Sequence, residues 1–105
     1  MSVIADSVND FSGSQGENNW RYGEYRSIFK PSNFQEFKHY HKPGGEYIWS
    51  AEKPAGYNNF NQLWASGGHP NSQQGKHSWA VRRWKSNYNG KVNLTGSIDD
   101  TNRRG

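Results

Sequence analysis

The chain has 105 residues, a net charge of +4 and no cysteine, which limits it to one domain and excludes disulfide staples and thiolate metal sites. Aromatic residues number sixteen against ten valines, isoleucines and leucines, so a core must be built from rings, each able to bury ~150–250 Å². No window approaches the ~20 apolar residues of a membrane span, and the lysines and arginines are too dispersed for a dedicated nucleic-acid stripe.

Met1–Asn9 reads as an extended N-terminal arm and residues 10–105 as a single all-β domain. The start MSVIADSVNDFSG lacks a basic n-region and a long apolar h-region, so export by the Sec route is not expected. The arm carries Val3, Ile4 and Val8, apolar side chains that gain nothing from water, and these are candidate partner contacts. A polar loop, Asp10–Asn19, then runs into the aromatic strand NWRYGEYRSIF, where Gly23 suggests a bulge or bend. Strand alternation puts Trp20 and Tyr22 on one face, and a bend at Gly23 would bring Tyr25 round to it.

PSNFQEFKHYH, Pro31–His41, is the best helix candidate: Ser32 or Asn33 could cap it, and Phe34, Phe37 and Tyr40 would share a face. GEYIWSA predicts a short strand with Tyr47 and Trp49 on one side and Ile48 on the other. FNQLWAS predicts another, and Gly67–Lys76 has turn chemistry throughout. The strongest signal is a hairpin over HSWAVRRWKSNYNGKVNLTGSID, turning at Asn89-Gly90. A three-residue loop, Tyr88-Asn89-Gly90, would pair Trp84 with Leu94, Ser86 with Val92 and Arg82 with Gly96, stacking apolar on apolar. Trp84 then faces inward, Arg82 lays its stem over Gly96, and Arg83 and Lys85 point to the other face.

Catalytic chemistry has little to stand on. There is no nucleophile elbow, and Asp99 and Asp100 are neighbours that would face opposite ways on a strand. Glu17, Glu24, Glu36, Glu46 and Glu52 are scattered, although spacing by itself does not forbid a glycosidase pair among them. His39 and His41 would share a face if extended, and His69 and His77 flank the glycine-rich loop, but no acidic partner sits at ligand spacing. DFSGSQGE has the outline of a calcium loop, yet Gln15 occupies the position that needs glycine. The reading is therefore non-enzymatic, with no metal or other cofactor.

Two binding readings remain. Trp20, Tyr22 and Tyr25 could stack on sugar rings while Asn18, Asn19 and Gln15 hydrogen-bond hydroxyls; the bland reading, which the shortage of aliphatics favours, makes those rings the core. Arg83 could instead take a partner's carboxylate with its guanidinium fork, with Lys85 beside it and the terminal Arg103 and Arg104 as further basic groups. Aromatic and basic residues alternate in WAVRRWKS, which leaves single-strand nucleic-acid binding as a third, weaker option.

Two blocks, DFSGSQGENNWRYGEY and GGHPNSQQGKHSWAVRRWKSNYNGKVNLTGSIDD, resemble a jelly-roll-like β-sandwich module found in bacterial, often cyanobacterial, multidomain and secreted proteins. The matching positions are Asp10-Phe11-Ser12, Gln15-Gly16, Asn19-Trp20, Tyr22-Gly23 and Tyr25, then Gly67-Gly68-His69-Pro70, Ala80 to Trp84 and Val92 to Ile98. The resemblance implies a small jelly-roll-like sandwich that binds, often carbohydrate, rather than catalyses. Such modules continue beyond the strand corresponding to GSIDD, whereas this sequence stops at TNRRG. The expectation is an incomplete sandwich whose open edges neighbours close. In that light the chain looks like a tailed-phage capsid decoration (cement) protein, expected to sit on the virion surface as a homotrimer and clamp the major capsid protein. A glycan-binding lectin-like module, extracellular or cytoplasmic in a bacterium, is the alternative.

Overall fold

A computed structural model describes residues 3–26, 33–52, 61–70, 78–87, 89–91, 93 and 95–96. Its longest strands are the two richest in alternating rings and polar groups, β1 (Trp20–Arg26) and β7 (Ser78–Trp84). They pair antiparallel along their whole length, from Trp20 opposite Trp84 to Arg26 opposite Ser78. On the other edge of β1 lies β2 (Phe34–Glu36), so this sheet runs β2-β1-β7. A second antiparallel sheet runs β3-β4-β5-β6, from β3 (His39–His41), β4 (Ile48–Ser50), β5 (Gln62–Trp64) and β6 (Gly67–His69). The two sheets pack face to face as a small all-β sandwich.

Period-two alternation decides which side chains fill the space between them. From the first sheet Trp20, Tyr22 and Glu24 of β1 face inward beside Ser78, Ala80, Arg82 and Trp84 of β7. From the second, the row Tyr40–Trp49–Leu63–Gly68 faces inward. Tyr22, Phe37, Trp49 and Leu63 form the buried cluster, with Phe11, Trp20, Tyr40, Ala51 and Ala80 packed around it. Tyr22 stacks on Trp49 across the sandwich at 5.9 Å and 15°, and Phe11 meets the Tyr22 ring edge-on at 5.0 Å. Rings do replace the missing aliphatics: Leu63 is the one aliphatic residue in that buried cluster.

Phe34–Glu36 and His39–His41 are strands, not the helix predicted over 31–41; residues 31 and 32 of that stretch lie outside the described set. A segment this short gains little from helix formation on its own, whereas β1 and β4 offer it ready-made backbone partners. Pairing also separates the rings the helix would have grouped. Phe34 faces outward against Tyr25 (5.8 Å), while Phe37 and Tyr40 turn into the core.

Two further expectations change. The predicted loop at Gly67 opens with strand β6, joined to β5 by a turn at Ala65-Ser66. The glycines there are needed for packing: a Cβ on Gly67 would stand 2.7 Å from Trp64 Nε1, and one on Gly68 2.8 Å from Leu63 Cδ2. Of the hairpin predicted after Trp84, the pairs Trp84–Leu94 and Ser86–Val92 involve residues outside the described set, and only the placing of Arg82 over Gly96 can be compared. Ser86, Asn87, Asn93, Thr95 and Gly96 lie outside strands, and Tyr88, Val92 and Leu94 lie outside the described residues. A Cβ on Gly96 would meet nothing within 4 Å, so Arg82 does not lie over it. On the β1 side, the partner of Trp84 is Trp20, with ring centroids 6.4 Å apart.

Candidate functional site

The ladder of β1 and β7 ends at Trp20 and Trp84, and there the polar loop before β1 folds back on it. Gly16, Asn18 and Asn19 take φ of 90°, 53° and 68°, the left-handed region that glycine and asparagine enter most easily. The loop is fastened at both ends: Gly16 N–H donates to the Trp20 carbonyl (2.7 Å), and Lys85 N–H donates to the Asn19 carbonyl (3.0 Å). A short 3-10 turn, Glu17–Asn19, lies between. The result is a cleft of about 690 Å³ lined by Gly16, Asn19, Arg21, Arg83, Trp84, Lys85 and Ser86.

Three of its seven lining residues, Arg21, Arg83 and Lys85, are cations. Register sets Arg21 directly opposite Arg83 on the outer face of the first sheet. Arg21 is held by Glu36, its Nη1 donating to Oε1 at 2.8 Å and Oε2 at 3.0 Å. Arg83 leans the other way, its guanidinium 5.0 Å from the centroid of the Phe34 ring. What lets Phe34 and Arg83 meet across the intervening strand is Gly23. A Cβ there would stand 2.9 Å from Phe34 Cζ and 2.2 Å from the Gln35 carbonyl oxygen. Gly23 therefore makes no bend; it is a gap in an unbroken strand that the Phe34 ring enters, with Arg83 over that ring.

The other arginine of the pair does something different. Arg82 points into the sandwich, where no carboxylate meets it among the described residues. It donates to the carbonyls of Trp64, Ala65 and Gly67 at the β5–β6 turn, and to Ser7 in the N-terminal segment. Its face lies 5.5 Å from the Phe11 ring centroid. Burial lowers its pKa from the ordinary arginine value, with the nearby Tyr22 phenol acting in the opposite sense. Arg82 is thus a structural hub joining both sheets and the N-terminal segment.

The residues singled out from the sequence fall into three groups. Tyr22 and Tyr25 are buried; Tyr22 fills the core, and Tyr25 lies on the outer face between Phe34 and Trp79. Trp20 is half-buried, its Nε1 donating to Asp10 Oδ2 at 3.1 Å. Gln15 is occupied with backbone: its amide donates to the carbonyls of Tyr22 (2.7 Å) and Phe37 (3.0 Å) and accepts from Tyr22 N–H (2.8 Å). Asn18 and Asn19 form the left-handed loop, and of these only Asn19 lines the cleft. Arg83 and Lys85 both line the cleft, Val3, Ile4 and Val8 are exposed outside the strands, and Arg103 and Arg104 lie outside the described residues.

Alternation divides the strand-borne histidine and carboxylate candidates between the inner and outer faces. His39 and His41 share the outer face of the second sheet, where Ser50 Oγ donates to the Glu52 carbonyl (2.6 Å) and lies 2.9 Å from His41 Nε2. No three histidine or acidic side chains gather at ligand distance among the described residues; His77 lies outside them. Glu24 is buried on the inner face with Asn61 Nδ2 donating to it at 2.9 Å, and the same amide reaches Ser78 Oγ at 2.6 Å. Glu36 sits on the outer face with Arg21.

The sequence did not reveal the backbone bonds of Gln15, the close approach at Gly23 or the Glu24–Asn61–Ser78 group. A signal for Arg82 was present: it is in phase with Ala80 and Trp84, and an inward arginine must find acceptors. Which carbonyls it found depends on the second sheet. Among the described residues no helix is long and apolar enough to cross a membrane. No known family, curated protein or solved structure matches the chain.

Proposed function

We propose that this chain is a non-enzymatic assembly protein, a capsid decoration (cement) protein that trimerises on the outer face of a virion and clamps neighbouring major capsid subunits. The observation that carries this reading is the N-terminal segment. Val3, Ile4 and Val8 are 80%, 49% and 47% exposed, yet the backbone beside them is fastened. Asp6 Oδ1 accepts the N–H groups of Val8 and Asn9 at 3.0 Å each, Asp10 Oδ2 accepts that of Asp6 at 2.9 Å, and Arg82 donates to Ser7. Apolar side chains displayed on an anchored turn suit an interface better than a freely moving tail. The resemblance of its sequence blocks to a binding sandwich and the net charge of +4 are further support, since positive charge steers a small protein to an acidic shell.

Light scattering on the purified chain, together with co-sedimentation on tailed-phage shells stripped of decoration protein, tests the proposal. A trimer that binds shells is expected. A 12.0 kDa monomer at every concentration, with no shell binding, would overturn it.

A second reading, glycan binding, is favoured by two exposed rings. Trp79 is 46% and Tyr47 50% exposed, and Tyr47 stacks flat on Tyr40 at 5.0 Å and 6°. Exposed aromatic faces are what sugar rings stack on. That reading predicts glycan-array binding weakened by Trp79→Ala.

A further inference from the structure

Arg21, which lines the cleft, already holds a carboxylate, that of Glu36. Arg83 and Lys85 line it too, both exposed, and neither has an acidic side-chain partner among the described residues. Because Arg83 lies over Phe34, one guanidinium face is covered and the group is held in a fixed orientation. A guanidinium so stacked offers its planar N–H edge to a ligand, and it has less rotamer freedom to lose on binding.

We infer that this cleft receives carboxylate side chains from an acidic polypeptide segment on the partner, with Arg83 and Lys85 as the receiving pair. The inference deepens the assembly reading and rests on it. Two cations a residue apart, beside a wall of fixed backbone at Gly16 and Asn19, match alternate acidic residues of an extended segment. A nucleic-acid backbone fits less well: it needs a run of cations along its track, whereas here they cluster at one end of one ladder, with Glu36 among them. A sugar fits less well too. The one ring lining the cleft, Trp84, faces the inner side and packs on Trp20, so it presents no open platform.

Calorimetric titration of the full chain with a short poly-glutamate peptide at low salt tests the site, with a poly-glutamine peptide, a heparin fragment and oligo-thymidine as comparisons. Poly-glutamate should bind, poly-glutamine should not, and binding should fade at molar salt. The double variant Arg83→Gln, Lys85→Gln should lose about tenfold or more in affinity, since charge-assisted bonds of this kind are strong. Lys38→Gln, an exposed cation outside the cleft, should bind like the parent chain, and thermal melts should confirm that both variants fold. Equal loss in Lys38→Gln, or preference for heparin or oligo-thymidine over poly-glutamate, would refute the site. Shell co-sedimentation separates the two levels of failure. If the double variant binds shells as the parent does, the cleft assignment is wrong and the assembly reading stands. If the parent captures poly-glutamate but never sediments with shells, the carboxylate site stands and the capsid is not its partner.

Discussion

Arg82 and Arg83 are adjacent in sequence and have opposite fates because strand alternation turns one in and one out. Arg82 has backbone carbonyls of the β5–β6 turn and of Ser7 around it, and removing its guanidinium leaves those acceptors without their donor. Arg82→Ala should therefore lower stability by about 2–4 kcal/mol, read as a fall in the urea midpoint. Arg82→Lys should restore only a minor part, because an ammonium lacks the planar fork that spans the turn. Gln15 is the second such residue: its side chain supplies one donor and one acceptor to Tyr22 and a further donor contact to Phe37. Gln15→Ala should cost about 1–3 kcal/mol in the same measurement, and an unchanged midpoint would show that water replaces the amide without loss. Neither role is visible in composition, since both depend on which carbonyls the tertiary fold brings within reach.

At the scale of elements, the strands around Trp20, Trp49 and Leu63 are legible from alternation, and the inward or outward sense of Ile48, Trp49 and Trp84 follows from it. The segment from Phe34 to His41 is not. Its ring spacing suits a helical face as well as two short strands, and the choice is made by the free edges of β1 and β4. Gly23 illustrates the same limit. A glycine in a strand signals a bulge or a close approach, and only the neighbouring β2 backbone decides for the second. Gly23→Ala should destabilise the chain by about 1–3 kcal/mol, because the rigid Gln35 carbonyl, 2.2 Å from the new methyl, must move. A lowered melting temperature is the expected result. It should be accompanied by faster amide exchange in Phe34–Glu36, the strand that methyl would push away.

For the whole molecule, buried phenols give a pH signature. Burial raises the pKa of Tyr22, with the Ser12 backbone and Arg82 pulling the other way, and burial with the neighbouring Tyr47 phenol raises that of Tyr40. In the unfolded chain both ionise near 10.0, while in the fold they keep their protons to higher pH. Their contribution is thus complete below pH 10.0 and is lost as pH climbs through the folded values. Thermal melts should fall steeply on that alkaline side, and Tyr22→Phe should flatten the fall; a slope identical to the parent's would exclude Tyr22 as its source. The proposed assembly is also tested at this scale. Replacing Val3, Ile4 and Val8 by serine should abolish oligomerisation and shell binding while leaving the melting temperature nearly unchanged. The substitution tests the interface more cleanly than deleting the arm, because Ser7 and Asp6 hold it to Asp10 and Arg82.

The linear chain alone showed an all-β fold with a core of rings, since sixteen aromatics outnumber ten valines, isoleucines and leucines and alternation needs only neighbours along the strand. It also brought forward Arg83, Lys85 and Asn19, which share the cleft. Contacts in space settled the rest: that Arg82 serves backbone carbonyls, that β7 pairs with β1 over its full length, and that Gly23 admits the Phe34 ring. Each of these is a contact between residues distant in the chain. Local periodicity specifies the face a side chain takes, while its partner is set by which strand edges find one another and by the shape of what they enclose.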